Sequence, residues 1–334
     1  MKLPALAARL TPIQPVLRCP LCGGQLALTD GRSLTCPSRH CFDLSAKGYV
    51  NLAPTHDQTG EKYDAALFDS RAQVFAGGFY APVAQAIGDA LTQALPALFP
   101  PPPAAVSGLS SAAPVPGALH VPPTGGHMPE QAAGRPAERT IATPGTPLLL
   151  DAGCGEGYYT RALAARFPNI AAMGLDLSRD AIQHAARSAT QINWFVADLT
   201  RLPVADGTVD ALIDVLTPAD YAEFARVLKP EGVLIKVVPA EDYLGEVRGA
   251  VAAHLRSGAF SNERVLAHLR AHADLLSQTT VRHTLPVTAA QAQAFLRMTP
   301  MTFGLTQDQL AWVTFSQITI ALEVLVCRMR HGAA

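Results

Sequence analysis

Four sulfur and nitrogen ligands near the N-terminus have a spacing that suits a metal ion. Two residues separate Cys19 from Cys22, three separate Cys36 from His40, and 13 residues lie between the two pairs. Brought together across a hairpin, the pairs would supply the tetrahedral set of thiolates and imidazole that Zn²⁺ prefers. Cys41 is an alternative fourth ligand, which would make the site all-cysteine. A closed four-ligand site has no open position for water, so we expect a structural zinc.

A second group of chemically suggestive residues is the glycine-rich turn in LLLDAGCGEGYYTRAL, residues 148–163. An apolar run ends at Asp151, and alternating glycines follow before a helical pattern begins. Such glycines can adopt positive φ and allow a ligand to approach the backbone closely. Asp176, at the end of the next apolar run, is placed to accept from both hydroxyls of a ribose. This order of strand, turn, helix and acid predicts a nucleotide-type ligand.

The residue sequence of this turn distinguishes between two classes of ligand. A dinucleotide fingerprint reads G-x-G-x-x-G, whereas this turn reads D-x-G-C-G-x-G and resembles the S-adenosylmethionine site of class I methyltransferases. In that family an acid placed like Asp198 holds the adenine amine; a helix-capping aspartate is the alternative. The predicted S-adenosylmethionine-binding residues are Asp151, Gly153, Gly155, Glu156, Gly157, Tyr158, Asp176, Leu177, Asp198 and Leu199.

The elements that must position these residues alternate from residue 147 onward. Apolar runs and helical patterns follow each other, which predicts an α/β fold with a doubly wound, Rossmann-like sheet. Two late segments predicted as strands, 277–287 and 318–329, lack the regular crossover helices and suit an antiparallel edge. We also expect a turn at residues 229–232 and a helix around 261–276.

The chain divides by composition into four parts. The connector has helical spacing over 61–98 with a break at Gly77-Gly78, and the insertion that follows has too few large apolar side chains to form a core. The predicted divisions are a zinc-binding module at 14–52, a helical connector at 53–98, a flexible insertion rich in Pro, Ala and Gly at 99–146, and the methyltransferase domain at 147–334.

Charge and hydropathy limit the classes of function. The net charge of the 334 residues is −1, which excludes a histone-like binder that is basic throughout. Residues 1–60 nevertheless carry six Lys or Arg against three Asp or Glu, so we expect RNA contact to begin there. The candidate phosphate contacts are Arg18, Arg32, Arg39 and Lys47. No run approaches the roughly 18 apolar residues of a membrane span, and the start is a poor signal peptide, so we expect a cytoplasmic protein without membrane contact.

Several stretches resemble the bacterial 23S rRNA (guanine-N1)-methyltransferases, which include tylosin-resistance enzymes. They are CPLCGGQL, TCPSRHCFDLSAKGYVNL, SRAQVFAGGFYAPV, DAGCGEGYYT, GLDLSRDAI, LPVADGTVDAL and FLRMTPMTF. The resemblance implies zinc at the Cys/His cluster, S-adenosylmethionine at the glycine turn, and methylation of guanine N1 in a hairpin loop of 23S rRNA. Two features depart from the family pattern: the insertion, and the segment Asp214-Val215-Leu216-Thr217-Pro218 where an aromatic-containing tripeptide is expected.

Methylation at guanine N1 requires that a proton leave as the methyl group arrives. Asp214 is the catalytic candidate for accepting it, and His283 is a second candidate. Three other functions stay open: methylation of tRNA, methylation of a small molecule, and a non-catalytic RNA-binding relic of the fold. The intact glycine turn, Asp176 and Asp198 argue against the relic. A homodimer is left open beside a monomer.

Overall fold

The computed structural model describes residues 3–53, 65–101, 145–252 and 261–331. The helices are α1 Leu3–Leu10, α2 Ala65–Ala76, α3 Ala81–Ala94, α4 Tyr158–Arg166, α5 Arg179–Ser188, α6 Tyr221–Val227, α7 Gly245–Ala250, α8 Glu263–His272, α9 Ala289–Met298 and α10 Gln307–Ala311. The strands are β1 Ala27–Thr29, β2 Ser33–Thr35, β3 Cys41–Asp43, β4 Val50–Asn51, β5 Leu148–Ala152, β6 Ala171–Asp176, β7 Asn193–Val196, β8 Val209–Val215, β9 Leu228–Pro239, β10 Ala273–Pro286 and β11 Gln317–Met329.

A large mixed sheet organises the chain, with the strand order β10-β11-β9-β8-β5-β6-β7-β4. Strands β4 to β9 pair in parallel, and β11 runs antiparallel to both β9 and β10. This confirms the doubly wound, Rossmann-like α/β fold and the antiparallel late strands. The chain moves from β5 out to β7 and then returns to β8 on the other side of β5. The topological switch point, where ligands bind in such sheets, therefore lies at the carboxyl ends of β5 and β8.

Apolar side chains cover both faces of the sheet because successive strand residues point to opposite sides. Leu149 and Ile213 face one apolar cluster, which α3, α4, α5 and α7 cover. Leu150 and Leu212 face the other, which α1, α6 and α8 cover together with the Cys-rich module. No helix in the described parts of the chain is long and apolar enough to cross a bilayer.

The N-terminal module is built around a small antiparallel sheet of β1, β2 and β3. The predicted hairpin turn is present: Asp30 and Gly31 have φ of 52° and 64°, as a two-residue turn of this kind requires. The last strand of this region, β4, leaves the small sheet and pairs in parallel with β7, Val50 opposite Phe195. The module is thus continuous with the edge of the large sheet, and its predicted boundaries stay a prediction.

The described part of the connector contains two helices separated at the predicted glycine pair. Between α2 and α3, Gly78 has φ of 74°, a left-handed value that glycine adopts at little cost. One face of α3 is buried through Val83, Ile87 and Leu91, spaced at four residues. Most of the predicted insertion, 102–144, lies outside the described residues, as do 54–64 of the connector.

Two local predictions are wrong. Residues 229–232 do not form a turn, because β9 begins at Leu228 and absorbs the irregularity as a shift of register against β8. The helix predicted over 261–276 ends at His272, because Ala273 already pairs with Met329 in the β10–β11 ladder. In both places long-range strand pairing overrides the local preference.

Candidate functional site

The cysteine and histidine ligands lie on two turns, one that precedes β1 and one that joins β2 to β3. Cys19 accepts a backbone bond from Gly23 and donates one to Gly24, so the chain reverses tightly around the first pair. The second turn is closed by Cys36 N donating to His40 O at 3.1 Å, with Arg39 at φ of 63° between them. Each turn therefore presents its two side chains toward the other.

The four ligand atoms fit a zinc ion. They all lie within 4.8 Å of one another. His40 Nδ1 is 3.4 Å from Cys19 Sγ and from Cys36 Sγ, and Cys22 Sγ is 3.5 Å from Cys36 Sγ. A tetrahedron with Zn–S bonds of about 2.3 Å has S···S edges of roughly 3.8 Å, close to these separations. Cys41 is exposed and outside this cluster, so the structure favours His40 as the fourth ligand.

The glycine turn follows β5 at the switch point. Gly153, Gly155 and Gly157 have φ of 77°, 54° and 74°. The backbone N–H groups of Gly153 and Cys154 both donate to Leu175 O, which fastens the turn to the end of β6. The three left-handed residues fold the chain into a compact bend that leads directly into α4, and such a bend suits close approach of a ligand.

Asp176 lies beside this bend at the end of β6. Its Oδ2 accepts from Gly155 N at 2.8 Å and its Oδ1 from Ser178 N at 2.7 Å. Burial raises the pKa of this carboxyl, while the two backbone amides and Arg71 oppose the rise. Each carboxylate oxygen has a second lone pair, so Asp176 can still accept from a ribose. The residue therefore fits the sugar of S-adenosylmethionine while also shaping the turn.

Asp198 and Leu199 begin a short 3₁₀ turn after β7. Asp198 Oδ1 accepts from Thr200 N at 2.9 Å and from its hydroxyl at 2.8 Å. This is the capping role that the sequence offered as the alternative. The acid stands at the same edge of the sheet as Asp176, so its predicted contact with adenine stays a prediction.

Asp151 is a buried support of the turn. Its Oδ2 accepts from Thr160 Oγ1 at 2.5 Å, which ties the end of β5 to the first turn of α4. Burial raises the pKa of Asp151 to about 7, with smaller contributions from nearby carboxylates and an opposing one from Thr160. The side chain thus ties the glycine turn to α4, and its predicted contact with S-adenosylmethionine stays a prediction.

Asp214, the candidate proton acceptor, is fully buried in β8. Its Oδ2 accepts from Lys236 Nζ at 2.8 Å, and the same ammonium donates to Thr217 O at 2.5 Å. Burial raises the pKa of Asp214 to about 6, and the positive Lys236 opposes that rise. The pair fixes the loop that follows β8. There Leu216, 41% exposed, has φ of 58°, an unusual value for a non-glycine residue.

His283, the second candidate base, is engaged elsewhere. Its Nε2 lies 2.9 Å from Phe79 O, so the ring connects β10 with the turn between α2 and α3. Helix α2 and the turn after it also bring aromatic residues close to the glycine bend. Phe75 stacks on Tyr158 with ring centroids 4.2 Å apart, and the hydroxyls of Tyr80 and Tyr243 are 2.7 Å apart.

Sequence reasoning missed three polar contributors. Arg71 of α2 pairs with Glu156 in the glycine turn, Nε to Oε1 at 2.9 Å. Lys236 and Thr217 support the loop after β8. Arg71 lies within SRAQVFAGGFYAPV, a stretch that already resembled the methyltransferase family, so a signal for it was present. Thr217 lies in the segment 214–218 that departs from the family pattern, whereas Lys236 shows no local motif.

Comparison with known proteins covers both parts of this arrangement. A protein-family model described as "Methyltransferase domain" matches residues 149–232, and the zinc-ribbon model "RlmA, N-terminal" matches 17–60. These ranges contain the glycine turn and the Cys/His cluster respectively.

Three relatives match most of the chain and are assigned by name to the 23S rRNA (guanine-N1)-methyltransferases. YxjB of Bacillus subtilis is 29% identical over 319 residues, covering 93% of this chain and 96% of the relative. A protein of Micromonospora griseorubida is 32% identical over 294 residues, 86% of each chain. The 23S rRNA (guanine(748)-N(1))-methyltransferase of Streptomyces fradiae is 27% identical over 327 residues, covering 93% and 96%. The chain belongs to the family of 23S rRNA (guanine-N1)-methyltransferases.

Proposed function

We propose that the protein transfers the methyl group of S-adenosylmethionine to N1 of a guanine in a hairpin loop of 23S rRNA. The observation that carries the proposal is the likeness to a relative of this name at 32% identity over 86% of both chains. A second relative, YxjB of Bacillus subtilis, matches 93% of this chain, so the likeness to the family extends over the zinc ribbon as well as the methyltransferase fold. The described residues assemble both sites. The presence of both parts in one chain is what we expect if the zinc ribbon and the methyltransferase fold each contribute to the activity.

The donor residues have the following proposed roles. The amino-acid part of the donor binds at the glycine bend, which consists of Gly153, Gly155 and Gly157 with Glu156 and Tyr158. Asp151 supports this bend through its hydrogen bond with Thr160. Asp176 and Leu177 hold the ribose, and Asp198 and Leu199 flank the adenine. The contacts of Asp176 with two backbone amides support its role, since they keep both oxygens fixed at the strand end.

When bound, S-adenosylmethionine supplies an electrophilic methyl group on a sulfonium. The residues of this chain contribute mainly by positioning. Asp214 is neutralised by Lys236 and buried, so we assign it to hold the loop after β8 rather than to take the proton. N1 of guanine loses its proton as the new N–C bond forms, and in this proposal the proton passes to water. A loop guanine leaves its stack at lower cost than a paired one.

The exposed cations of the zinc module are proposed to contact RNA phosphates. Arg32, Arg39 and Lys47 are exposed, whereas Arg18 is partly buried and donates to the carbonyls of Pro15 and Leu17. Lys47 also bonds Gln183 of α5 at 2.7 Å, so this basic surface adjoins the methyltransferase fold. Because 23S rRNA is the proposed substrate, we place the protein in the cytoplasm. A homodimer stays a prediction that light scattering would test.

The proposal is tested by incubating the purified protein with labelled S-adenosylmethionine and, separately, 23S rRNA, tRNA and a small-molecule extract. We expect label in 23S rRNA, and mass mapping should place it on N1 of one guanine. Label confined to tRNA or to small molecules would establish one of the other methyltransferase functions instead. Tight donor binding without transfer to any substrate would support the non-catalytic relic.

A further inference from the structure

Arg71 lies over the glycine turn although it belongs to the connector helix α2. A Cβ on Gly155 would lie 3.3 Å from Nη2 of Arg71, so one edge of the guanidinium faces the backbone of the turn. Nε of the same group is occupied, because it pairs with Glu156 Oε1 at 2.9 Å. Glu156 is buried, which leaves its carboxylate little freedom to change partner.

The positive charge of Arg71 interacts with two side chains close to the predicted donor site. Its positive charge opposes the rise that burial causes in the pKa of Asp176 and of Tyr243. These two side chains lie on different elements: Asp176 ends β6, and Tyr243 follows β9. Arg71 therefore lies near the carboxyl ends of these strands, with its side chain 28% exposed.

The donor has one group that requires such a cation, the carboxylate of its amino-acid part. A buried carboxylate needs an opposite charge or several hydrogen bonds, and an arginine fork matches its geometry well. Other cations near the turn are committed. Lys236 is engaged by Asp214 and Thr217 O, and Arg161 donates to Glu156 O.

We infer that Arg71 binds the carboxylate of the methyl donor through its Nη groups, while Glu156, paired with Nε, orients the guanidinium. This inference rests on the proposed function, because it takes S-adenosylmethionine as the ligand. It gives the connector helix a direct part in donor recognition, outside the residues 149–232 that match the methyltransferase domain.

The test compares two ligands by calorimetry on the full-length protein. S-adenosylhomocysteine carries the carboxylate, whereas 5′-methylthioadenosine keeps the adenosine and sulfur but lacks the amino-acid part. We expect Arg71→Gln to weaken S-adenosylhomocysteine by about tenfold to a hundredfold and 5′-methylthioadenosine by no more than about twofold. Arg71→Lys should give an intermediate loss, because it keeps the charge but not the fork. Arg187→Gln, an exposed change on α5, is the matched control.

A second variant separates ligand binding from support of the turn. Glu156→Gln breaks the same ion pair but leaves the charge of Arg71. Because Glu156 orients the guanidinium and belongs to the proposed donor site, S-adenosylhomocysteine affinity should fall, but by less than in Arg71→Gln. An equal loss in Glu156→Gln and Arg71→Gln, or an equal loss of both ligands in Arg71→Gln, overturns the inference and leaves the proposed function standing. Wild-type protein that binds neither compound overturns the proposed function itself.

Discussion

Gly153 and Thr217 are packed so closely that a Cβ on the glycine would lie 2.3 Å from Cγ2 of the threonine. The threonine hydroxyl also donates to Gly153 O at 3.3 Å. The glycine turn after β5 and the loop after β8 therefore meet directly at the switch point of the sheet. Any side chain at residue 153 would clash with Thr217. This contact and the φ of 77° therefore both restrict the position to glycine.

Gly153→Ala should lower both stability and donor affinity. Left-handed backbone costs an alanine about 1–2 kcal/mol, and the clash with Thr217 adds to this. Gly207→Ala is the matched control, because Gly207 has φ of 59° but no atom within 4 Å of its Cβ position. Thermal melts and calorimetry with S-adenosylhomocysteine would show a larger loss for Gly153→Ala. Equal melting temperatures for the two variants would contradict the contact.

Lys236→Met should destabilise the protein by about 3–5 kcal/mol, because it leaves Asp214 as an uncompensated buried charge. The double variant Lys236→Met with Asp214→Leu should recover much of that loss. Arg330→Met serves as control: its partner Asp274 is 2.6 Å away, but both side chains are more than half exposed, so the cost should stay within about 1 kcal/mol. Urea unfolding measures all three, and a double variant as unstable as the single one would refute the pairing.

The stability of the protein should depend on pH through Asp151. Its folded pKa of about 7 lies above the ordinary value near 4, so the folded state holds the proton more tightly. The stabilisation is complete below about pH 4 and is lost as pH rises through 7, by up to about 4 kcal/mol. Urea unfolding between pH 4 and 8 should show this fall relative to Asp151→Asn. Asp180→Asn, exposed on α5, should keep the wild-type slope.

Asp176→Ala should weaken S-adenosylmethionine binding by roughly 1.5–3 kcal/mol, the worth of hydrogen bonds to a charged group. Loss of the bond to Gly155 N would add to this by loosening the turn. Calorimetry measures the affinity, and Asp180→Ala controls for loss of one negative charge nearby. An unchanged affinity would remove Asp176 from the donor site.

The double variant Cys19→Ser with Cys22→Ser should lose the bound zinc and abolish rRNA methylation. S-adenosylmethionine affinity should stay within about twofold, since well-separated sites act nearly independently. Cys41→Ser removes an exposed thiol outside the ligand cluster, so it should keep both the metal and the activity. Metal analysis by mass spectrometry and methyl-transfer assays report the outcome. Normal methylation without zinc would separate the module from RNA recognition.

Local signals in the sequence account for much of the fold and of both sites. The Asp30-Gly31 turn, the glycine bend and the ligands Cys19 to His40 are each encoded within a few neighbouring residues. Their conformations follow from φ preference and from metal geometry, which need no knowledge of the rest of the chain.

What the sequence did not reveal depends on distant partners. Lys236 lies within the apolar strand β9, and no neighbouring residue marks its role. The role becomes visible only when β8 pairs with β9 and places Asp214 opposite it. The start of β10 at Ala273 is set by Met329, far along the chain. The short apolar pattern of α1 resembles a poor signal peptide in the sequence, whereas Leu6 and Leu10 are buried in the core beneath the sheet. Such contacts are decided by topology, which local periodicity does not contain.

The pairing of β4 with β7 has a consequence for the order of folding. Val50 emerges early in synthesis, but its partner Phe195 follows only after the connector, the insertion and two strands of the sheet. Closing such a long loop costs entropy that local hairpins do not incur. The two turns that carry the zinc ligands can therefore form early, whereas β4 pairs with β7 late in folding. By ordering the residues before β4, zinc keeps this strand in position until β7 has formed and can pair with it.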